Sequence, residues 1–250
     1  MPIYPNSVLR RWSEQALCRA FGIRLVTSPA IVQLAKNAGF DALFIELEHS
    51  TLTLNDASQL CTAALLANLT PLVRVPYQCG DGFVQRVLDG GAMGVIFPHI
   101  HDADDAKAAV RISKYPPQGT RSMTGQLPQF NLAPTPIPTV TEESNASGST
   151  VFVMIETKSS IENIGEIASV PGVDVLLTRS NDLSIELGVP GDFRSEAFRA
   201  ALEMVSEAAK KYGKGWAVGE LGVRWILGQQ DSGILARGAK GCLDELAHLL

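Results

Sequence analysis

Two acidic side chains follow apolar runs in the second half of the chain, and their spacing indicates a site for a divalent cation. Glu156 closes the run 151–155, and Asp182 follows the run 173–177 after a short turn. A carboxylate is costly to bury without a cationic partner, so an apolar strand that ends on one is expected to deliver it to an open edge. Two carboxylates with water and a bidentate oxygen substrate suit Mg²⁺ or Mn²⁺, with Co²⁺ as a further option. For Glu156 alone, a helix-capping role or an ion pair with a lysine explains the pattern equally well.

Arg74 and His49 lie near the ends of two earlier apolar runs, and their chemistry complements the acidic pair. Arg74 lies inside an apolar stretch, so its guanidinium needs an anion, which is either a substrate carboxylate or enolate or a structural acid. His49 suits proton transfer near neutral pH, and Glu46 or Glu48 could hold its ring and fix its tautomer. An ordinary surface loop is the alternative interpretation of that stretch. His99 and His101 alternate at another strand end, and we interpret them as residues of the loop or of the support around the site.

Short apolar runs alternate with longer helical patterns along the chain, which indicates repeated β-α units and a parallel sheet. About eight units fit the length, and this predicts a (β/α)₈ TIM barrel whose site lies at the carboxyl ends of the strands. The predicted strands are 22–26, 40–46, 71–75, 94–97, 151–156, 173–177, 215–218 and 223–227. The predicted helices are 54–69, 83–88, 102–113 with Asp102 as N-cap, 160–168, 196–212 and 231–250.

Two irregular stretches interrupt this alternation in what we expect to be a single domain, 1–250. Residues 116–150 are rich in Pro, Thr and Ser, and their pattern predicts a loop over the barrel mouth with a flexible tip at 142–148. The connection 218–223 has no room for a helix, so the barrel is expected to lack the helix between its last two strands.

Composition excludes several classes of function. The net charge of −5 and the scattered basic residues argue against nucleic acid as a partner. No apolar run approaches the roughly 20 residues of a membrane helix. A secretory signal is not expected, because no apolar segment follows Arg10 and Arg11. The four cysteines are far apart, which favours free thiols in a reducing compartment, and a cytoplasmic location is expected. The partner is expected to be a small-molecule substrate.

Taken together, the motifs resemble those of the HpcH/HpaI aldolase family. The resemblance extends from about residue 22 to the end of the chain and rests on segments 39–49, 73–76, 88–92, 115–121, 155–157, 170–174 and 182–188. It implies a (β/α)₈ barrel whose last helix is often exchanged between subunits, assembled as a hexamer made of a trimer of dimers. It also implies a divalent-metal-dependent carbon–carbon lyase that acts on 2-oxo acids through a pyruvate-type enolate.

The resemblance also assigns roles to individual residues. Glu156 and Asp182 match the metal ligands, and Arg74 matches the residue that steadies the pyruvate enolate. His49 matches the proton-transfer residue, and Asp89 matches an acid offered to a neighbouring subunit's site.

Several residues depart from the family pattern, and they cluster at the mouth. Glu46 stands where the family pairs an aspartate with its histidine, and Met154 stands where a glutamine is usual. The segment Arg179, Ser180 and Asn181 replaces a Gly-Pro-Ala that normally offers its backbone to the substrate carboxylate. Met154, Arg179, Ser180 and Asn181 are expected to lie at the substrate, where Met154 cannot donate a hydrogen bond to a keto acid and Arg179 either blocks the carboxylate contact or replaces it.

Two other functions compete with the aldolase. A repurposed cyclase or pericyclase that forms rings by Diels–Alder-type chemistry would need an apolar mouth, with Met154, Met123 and Phe130 as candidate walls, and could work without metal. A fungal relative that turns an enolate onto a pyrone shows that the scaffold allows such chemistry. A degenerate barrel that serves only as a binding or scaffold subunit is the third hypothesis, and the retained acidic pair argues against it.

Overall fold

A parallel barrel forms the body of the molecule. The computed structural model describes residues 3–217 and 225–247. Within these residues eight parallel strands form one sheet in the order β7-β6-β5-β4-β3-β2-β1-β8. The strands are β1 Cys18–Ile23, β2 Ala42–Glu46, β3 Thr70–Arg74, β4 Gly94–Phe97, β5 Thr150–Ile155, β6 Val175–Thr178, β7 Gly215–Ala217 and β8 Trp225–Gln230. The predicted TIM-barrel class is confirmed, and among the described residues the ladder stays open between β7 and β8.

Helices follow the strands and cover the outside of the sheet. They are α1 Ser7–Ser13, α2 Ala30–Asn37, α3 Leu54–Leu66, α4 Asp81–Asp89, α5 Ala103–Ser113, α6 Ile137–Glu143, α7 Lys158–Glu162, α8 Ile164–Ser169, α9 Ser180–Glu186, α10 Glu196–Tyr212 and α11 Asp231–Leu246. Asp102 caps α5 as predicted, since its side chain accepts hydrogen bonds from the backbone N–H groups of Asp104 and Asp105.

The sheet separates two apolar cores because side chains alternate between its faces. Ile45, Val153 and Leu176 face outward and pack under the helices. Phe44 and Met154 face inward and fill the barrel interior. Because side chains fill the barrel interior, a site at the carboxyl ends of the strands lies above packed residues and not above an open channel.

Trp225 closes the interior core on the β8 side. Its ring meets Phe152 edge to face, with ring centroids 5.5 Å apart, and lies 6.3 Å from the ring of Phe44. The pairing of β8 with β1 shifts register between Ala20 and Gly22. A Cβ atom on Gly22 would lie 2.7 Å from Cγ of Gln230, so the close approach of the two strands requires glycine there.

The boundaries of β1 and β8, the two strands paired across this register shift, differ from the predicted ones. β1 begins four residues earlier than the predicted 22–26, and β8 ends three residues later than the predicted 223–227. The predicted helix 160–168 is two helices, α7 and α8, which meet at Asn163. The connection 218–223, with its expected missing helix, lies outside the described residues.

The long irregular segment is ordered and lies at the opposite end of the barrel from the predicted mouth. It joins α5 to β5, and the connection from a helix back to a strand lies at the amino-terminal ends of the strands. Gln129 donates to the carbonyls of Leu88 and Ala92, near the end of α4, at 2.6 and 2.8 Å. A loop over the mouth of the same barrel was therefore the wrong prediction, because the order of elements along the chain fixes which end a connection occupies.

The expected flexible tip is also wrong. α6 ends at Glu143 and continues into one turn of π-helix, Ser144–Gly148, whose two end residues are buried. The side chain of Asn145 accepts from the backbone N–H of Tyr115 at 2.7 Å and donates to its carbonyl at 3.0 Å. This reciprocal pair fixes the turn.

All four cysteines are free, as expected, and burial raises the pKa of Cys18 to about 12. In residues 3–217 and 225–247, none of the helices combines the length and the apolar character needed to cross a membrane.

Candidate active site

A buried arginine-carboxylate pair lies where β2 and β3 end side by side. Glu46 and Arg74 are register partners, and each side chain is only 1 % exposed. The guanidinium donates from Nε to Oε1 of Glu46 at 3.0 Å and from Nη2 to Oε2. Burial opposes ionisation of Glu46, but the hydrogen bonds and charge of Arg74 outweigh it and hold the pKa of this carboxyl below its ordinary value. The arginine is thereby locked in one orientation.

Glu48 adds a second carboxylate to the same arginine. Its Oε2 lies 3.0 Å from Nη1 of Arg74, and the side chain is 8 % exposed. Burial raises the pKa of Glu48, and the negative charge of Glu156 adds to that effect, while Arg74 opposes it. Two neighbouring glutamates on one arginine are therefore held in different electrostatic environments.

His99 links this pair to the next carboxylate. Its Nε2 lies 3.5 Å from Oε1 of Glu48, and its Nδ1 lies 3.4 Å from Oε1 of Glu156. The backbone has a φ of 53°, in the left-handed region that non-glycine residues rarely adopt, and the ring packs edge to face on Tyr77 at 4.9 Å. A strained backbone held by these contacts is a feature found at functional sites.

Glu156 stands directly after β5 and is 2 % exposed. The backbone N–H of His99 donates to its Oε1 at 2.6 Å. The side chains of Glu46, Arg74, Glu48, His99 and Glu156 thus form one continuous cluster across the ends of four strands, β2 to β5, which we call the Arg74 cluster.

His49 lies at the edge of the Arg74 cluster, and its surroundings differ from the expected dyad. Glu46 accepts from the backbone N–H of His49 at 3.1 Å, so this carboxylate is committed to the main chain and to Arg74. The imidazole is 56 % exposed, and its Nε2 lies 3.8 Å from Oε2 of Glu48. Glu48, rather than Glu46, is therefore the carboxylate that faces the ring of His49.

A second ion pair, more exposed than the first, follows the end of β6. Asp182 lies in the first turn of α9, and Arg179, Ser180 and Asn181 lead into it. Arg179 Nε lies 3.2 Å from Oδ2 of Asp182, and the two side chains are 31 % and 43 % exposed. β6 pairs with β5 up to Thr178, so this pair stands beside Glu156 across neighbouring strand ends.

Asp89 lies away from this mouth. It is the last residue of α4, and its Oδ1 accepts from Nη2 of Arg121 at 2.7 Å. Arg121 also packs its guanidinium on the ring of Tyr115 at 4.6 Å. Both residues belong to the amino-terminal end of the barrel, where Asp89 could serve only another subunit's site.

A cavity of about 370 Å³ lies between the end of β6 and the length of β8, above the interior residues Phe44 and Met154. Met154 and Arg179 line it, so both departures from the family pattern border the same space. Met123 and Phe130 do not join them, because they pack in a separate cluster with Tyr115. The expectation of a shared apolar wall therefore holds for Met154 alone.

The donor set fits a hard cation that keeps part of its water. Among the described residues, no three Asp, Glu, His or Cys side chains are grouped as a ready-made metal cage. Glu156 and Asp182 provide two carboxylates on adjacent strand ends. Mg²⁺ commonly uses one or two protein carboxylates together with substrate oxygens and water. A site of this kind is completed by the substrate.

Two members of the Arg74 cluster, Glu48 and His99, have a larger part in the site than the sequence predicts. The sequence indicates Glu48 only as a support for His49, and His99 only as a residue of the loop or of the support around the site. The one signal for His99 was its place directly after a strand and Pro98. Its left-handed backbone and its position between two carboxylates depend on contacts from other strands.

Comparison with known proteins identifies the family. The family model described as HpcH/HpaI aldolase/citrate lyase matches residues 25–224. The 4-hydroxy-4-methyl-2-oxoglutarate aldolase tasA of Hapsidospora irregularis is 54 % identical over 100 % of this chain and 97 % of its own length. The 4-hydroxy-4-methyl-2-oxoglutarate aldolase cghB of Chaetomium globosum is 54 % identical over 98 % of this chain and 96 % of its own.

Solved structures agree with this assignment. An HpcH/HpaI aldolase from Desulfitobacterium hafniense DCB-2 matches with a TM-score of 0.88 and 27 % identity over 97 % of each chain. Macrophomate synthase matches with a TM-score of 0.84 over 99 % of this chain and 91 % of its own, at 22 % identity, which shows a shared fold alone. A non-catalytic scaffold is therefore the wrong hypothesis. The protein is an enzyme of the lyase class, and its chain belongs to the HpcH/HpaI aldolase/citrate lyase family.

Proposed function

We propose that this aldolase cleaves 4-hydroxy-4-methyl-2-oxoglutarate between C3 and C4, or forms the same bond in reverse. Cleavage of that bond gives two molecules of pyruvate, one from each half of the substrate. The Arg74 cluster carries the proposal, because it holds a buried cation beside Glu156 where a pyruvate enolate would form. The 54 % identity to two aldolases named for this substrate supports the choice.

Glu156 and Asp182 are the proposed ligands of a divalent cation, Mg²⁺, Mn²⁺ or Co²⁺. Bound there, the cation would supply a Lewis acid for the 2-oxo and carboxylate oxygens of the substrate. Arg74 then stabilises the negative charge that develops on the 2-oxo oxygen as the bond breaks. Because Glu46 and Glu48 fix the guanidinium beforehand, this stabilisation costs little reorganisation.

His49 is the proposed proton carrier, because its exposed ring stands beside Glu48 at the edge of the cluster. It takes the proton of the C4 hydroxyl as the C4–O bond becomes a carbonyl. The electron pair of the C3–C4 bond passes to the enolate of the other half. The same proton then returns to C3, so that two pyruvates leave and the residue is restored.

Substrate binding is proposed for Met154 and for the segment Arg179, Ser180 and Asn181. The last two residues lie in the first turn of α9, and Arg179 stands at the rim beside Asp182. Arg179 offers a cation to a carboxylate at the position where the family presents backbone alone.

A homo-oligomer is also part of the proposal, in the hexameric form that the resemblance implies. Beyond its first turn α11 is exposed, with Leu235 and Leu243 at 51 % and 64 %. An amphipathic helix with exposed leucines supports exchange with a second subunit. Asp89, at the far end of the barrel, would then reach a neighbouring site. The free cysteines support a cytoplasmic location.

A ring-forming reaction is the second candidate, favoured by the apolar lining of the cavity beside Met154. It predicts carbon–carbon bond formation on an apolar substrate that survives a chelator. The aldolase predicts the opposite dependence.

The deciding experiment is pyruvate release from racemic 4-hydroxy-4-methyl-2-oxoglutarate, followed by a coupled reductase assay with Mg²⁺, Mn²⁺ or Co²⁺ and then with EDTA. Glu156→Gln should lose Mn²⁺ binding and cleavage, while its amide oxygen still accepts from the backbone N–H of His99. Glu162→Gln is the matched control, since Glu162 is an exposed residue of α7 that pairs with Lys158 at 4.0 Å. Wild-type Mn²⁺ affinity in Glu156→Gln would show that the metal site has been misplaced.

A further inference from the structure

We propose that the cavity between β6 and β8 is the binding site for the acceptor half of the substrate, and that Trp225 and Arg179 make it selective for a 2-oxo-acid ketone. This inference rests on the proposed function and names what determines its acceptor. We call the cavity the acceptor subsite.

The acceptor subsite adjoins the proposed metal ligands. Met154 lies two residues before Glu156 on β5, and Arg179 pairs with Asp182. Both residues line the cavity, so a substrate held by the two carboxylates extends into it directly. The volume of about 370 Å³ lies in the lower part of the range of about 300–1,000 Å³ for small-molecule sites. A six-carbon diacid is of the right class for that space.

Six of the ten described lining residues are apolar, and the other four are Thr178, Arg179, Ser180 and Gln230. A methyl group on the acceptor carbon packs favourably against such walls, whereas the hydroxyl groups of a sugar-like aldehyde would lose their water without replacement. The lining therefore favours a methyl ketone over a polyhydroxylated aldehyde. The apolar lining residues are Phe44, Met154, Leu177, Trp225, Ile226 and Leu227.

Two polar atoms on lining residues are buried without a hydrogen-bond partner in the described part of the chain. They are Nε1 of Trp225 and Oγ1 of Thr178, on residues that are 1 % and 5 % exposed. An unpaired buried N–H or O–H is costly, so both groups are expected to find a partner in the working enzyme. The contacts of the indole with Phe152 and Phe44 fix its orientation. In this proposal, the indole or the hydroxyl turns toward the bound substrate, and the C4 oxygen of the substrate is its acceptor.

Arg179 gives the subsite its charge preference. It is the one charged side chain among the described residues that line the cavity. Its Nε is used by Asp182, and a guanidinium fork has two further nitrogens that can bind a carboxylate. The C5 carboxylate of 4-hydroxy-4-methyl-2-oxoglutarate is the group this cation would hold.

Trp225→Phe tests the indole donor, because it keeps the ring and removes the N–H. The readout is the ratio of substrate cleavage to deuterium exchange at the methyl group of pyruvate. Exchange needs the donor half alone, so it also reports that the variant is folded. We expect the ratio to fall roughly fivefold to tenfold, mainly through KM. Trp216→Phe is the matched control: Nε1 of Trp216 is also buried and unpaired among the described residues, but Trp216 does not line the cavity.

Arg179→Gln tests the charge. We compare 4-hydroxy-4-methyl-2-oxoglutarate with 4-hydroxy-4-methyl-2-oxopentanoate, in which a methyl group replaces the distal carboxylate. The preference of the wild type for the diacid, measured as the ratio of the two kcat/KM values, should fall roughly 10-fold to 100-fold in the variant.

The outcomes separate this inference from the proposed function. A wild-type enzyme that exchanges pyruvate protons but cleaves neither substrate would overturn the proposed substrate. A wild-type enzyme that cleaves the diacid, with both ratios unchanged in Trp225→Phe and Arg179→Gln, would overturn the acceptor subsite alone.

Discussion

Two arginines stand at strand ends of the same mouth, and their surroundings differ sharply. Arg74 is 1 % exposed and contacts two glutamates, whereas Arg179 is 31 % exposed and contacts one aspartate. The buried arginine is held by its partners before any ligand arrives, and the rim arginine keeps freedom to exchange partners. This difference agrees with the roles proposed above, in which Arg74 stabilises the enolate and Arg179 binds the distal carboxylate of the substrate.

The largest difference is expected in stability. Arg74→Met should lower the free energy of unfolding by about 3–5 kcal/mol, because it leaves Glu46 and Glu48 buried without a cation. Arg179→Met should lower it by less than about 1 kcal/mol, since the pair it breaks is solvated. Urea unfolding of both variants measures the contrast. Equal losses would mean that the two pairs do not differ as their burial indicates.

The pH dependence of stability should separate the two glutamates of Arg74. The pKa of Glu46 lies below its ordinary value of 4.5 in the folded protein, so it contributes stability above that pH, which is lost as pH falls through the lower folded pKa. Glu46→Gln should therefore flatten the loss of stability on acidification. Unfolding curves collected between neutral pH and pH 3 provide the test.

Glu48→Gln should act in the opposite sense. The pKa of Glu48 is raised, so the folded state favours its protonated form, and the associated stability is lost as pH rises through the raised pKa. On going from acid to neutral pH, the free energy of unfolding should therefore change more favourably in the variant than in the wild type. The same pH slope in both variants would contradict the different environments of these residues.

The smallest effect on stability is expected at Asp182. Asp182→Asn removes one charge from a half-exposed pair, so the free energy of unfolding should change by less than about 1 kcal/mol. Mn²⁺ binding should nevertheless be lost, because a carboxylate ligand is replaced by a neutral amide. Calorimetric titration with Mn²⁺, paired with thermal unfolding, checks both. Unaltered Mn²⁺ affinity would remove Asp182 from the ligand set.

The sequence by itself determined the barrel fold and the location of the charged side chains at the carboxyl ends of the strands. Apolar runs such as 151–155, repeated in alternation with helical patterns, indicate buried parallel strands, and a carboxylate that follows such a run lies at the strand's carboxyl end. Local periodicity carries that information, and Glu156 and Arg74 lie where it places them.

Only the tertiary structure decided how the charges pair and which space they border. Glu46 binds Arg74 because the register of β2 on β3 sets them side by side, and no local pattern contains that register. His99 reaches Glu48 and Glu156 through a left-handed backbone that contacts from other strands support. Trp225 lines the cavity because β8 pairs with β1 across more than 200 residues, with a shift in register between Ala20 and Gly22. Such long-range pairing depends on how the whole sheet closes, which is why neither the partners of Arg74 nor the acceptor subsite could be predicted from the order of residues.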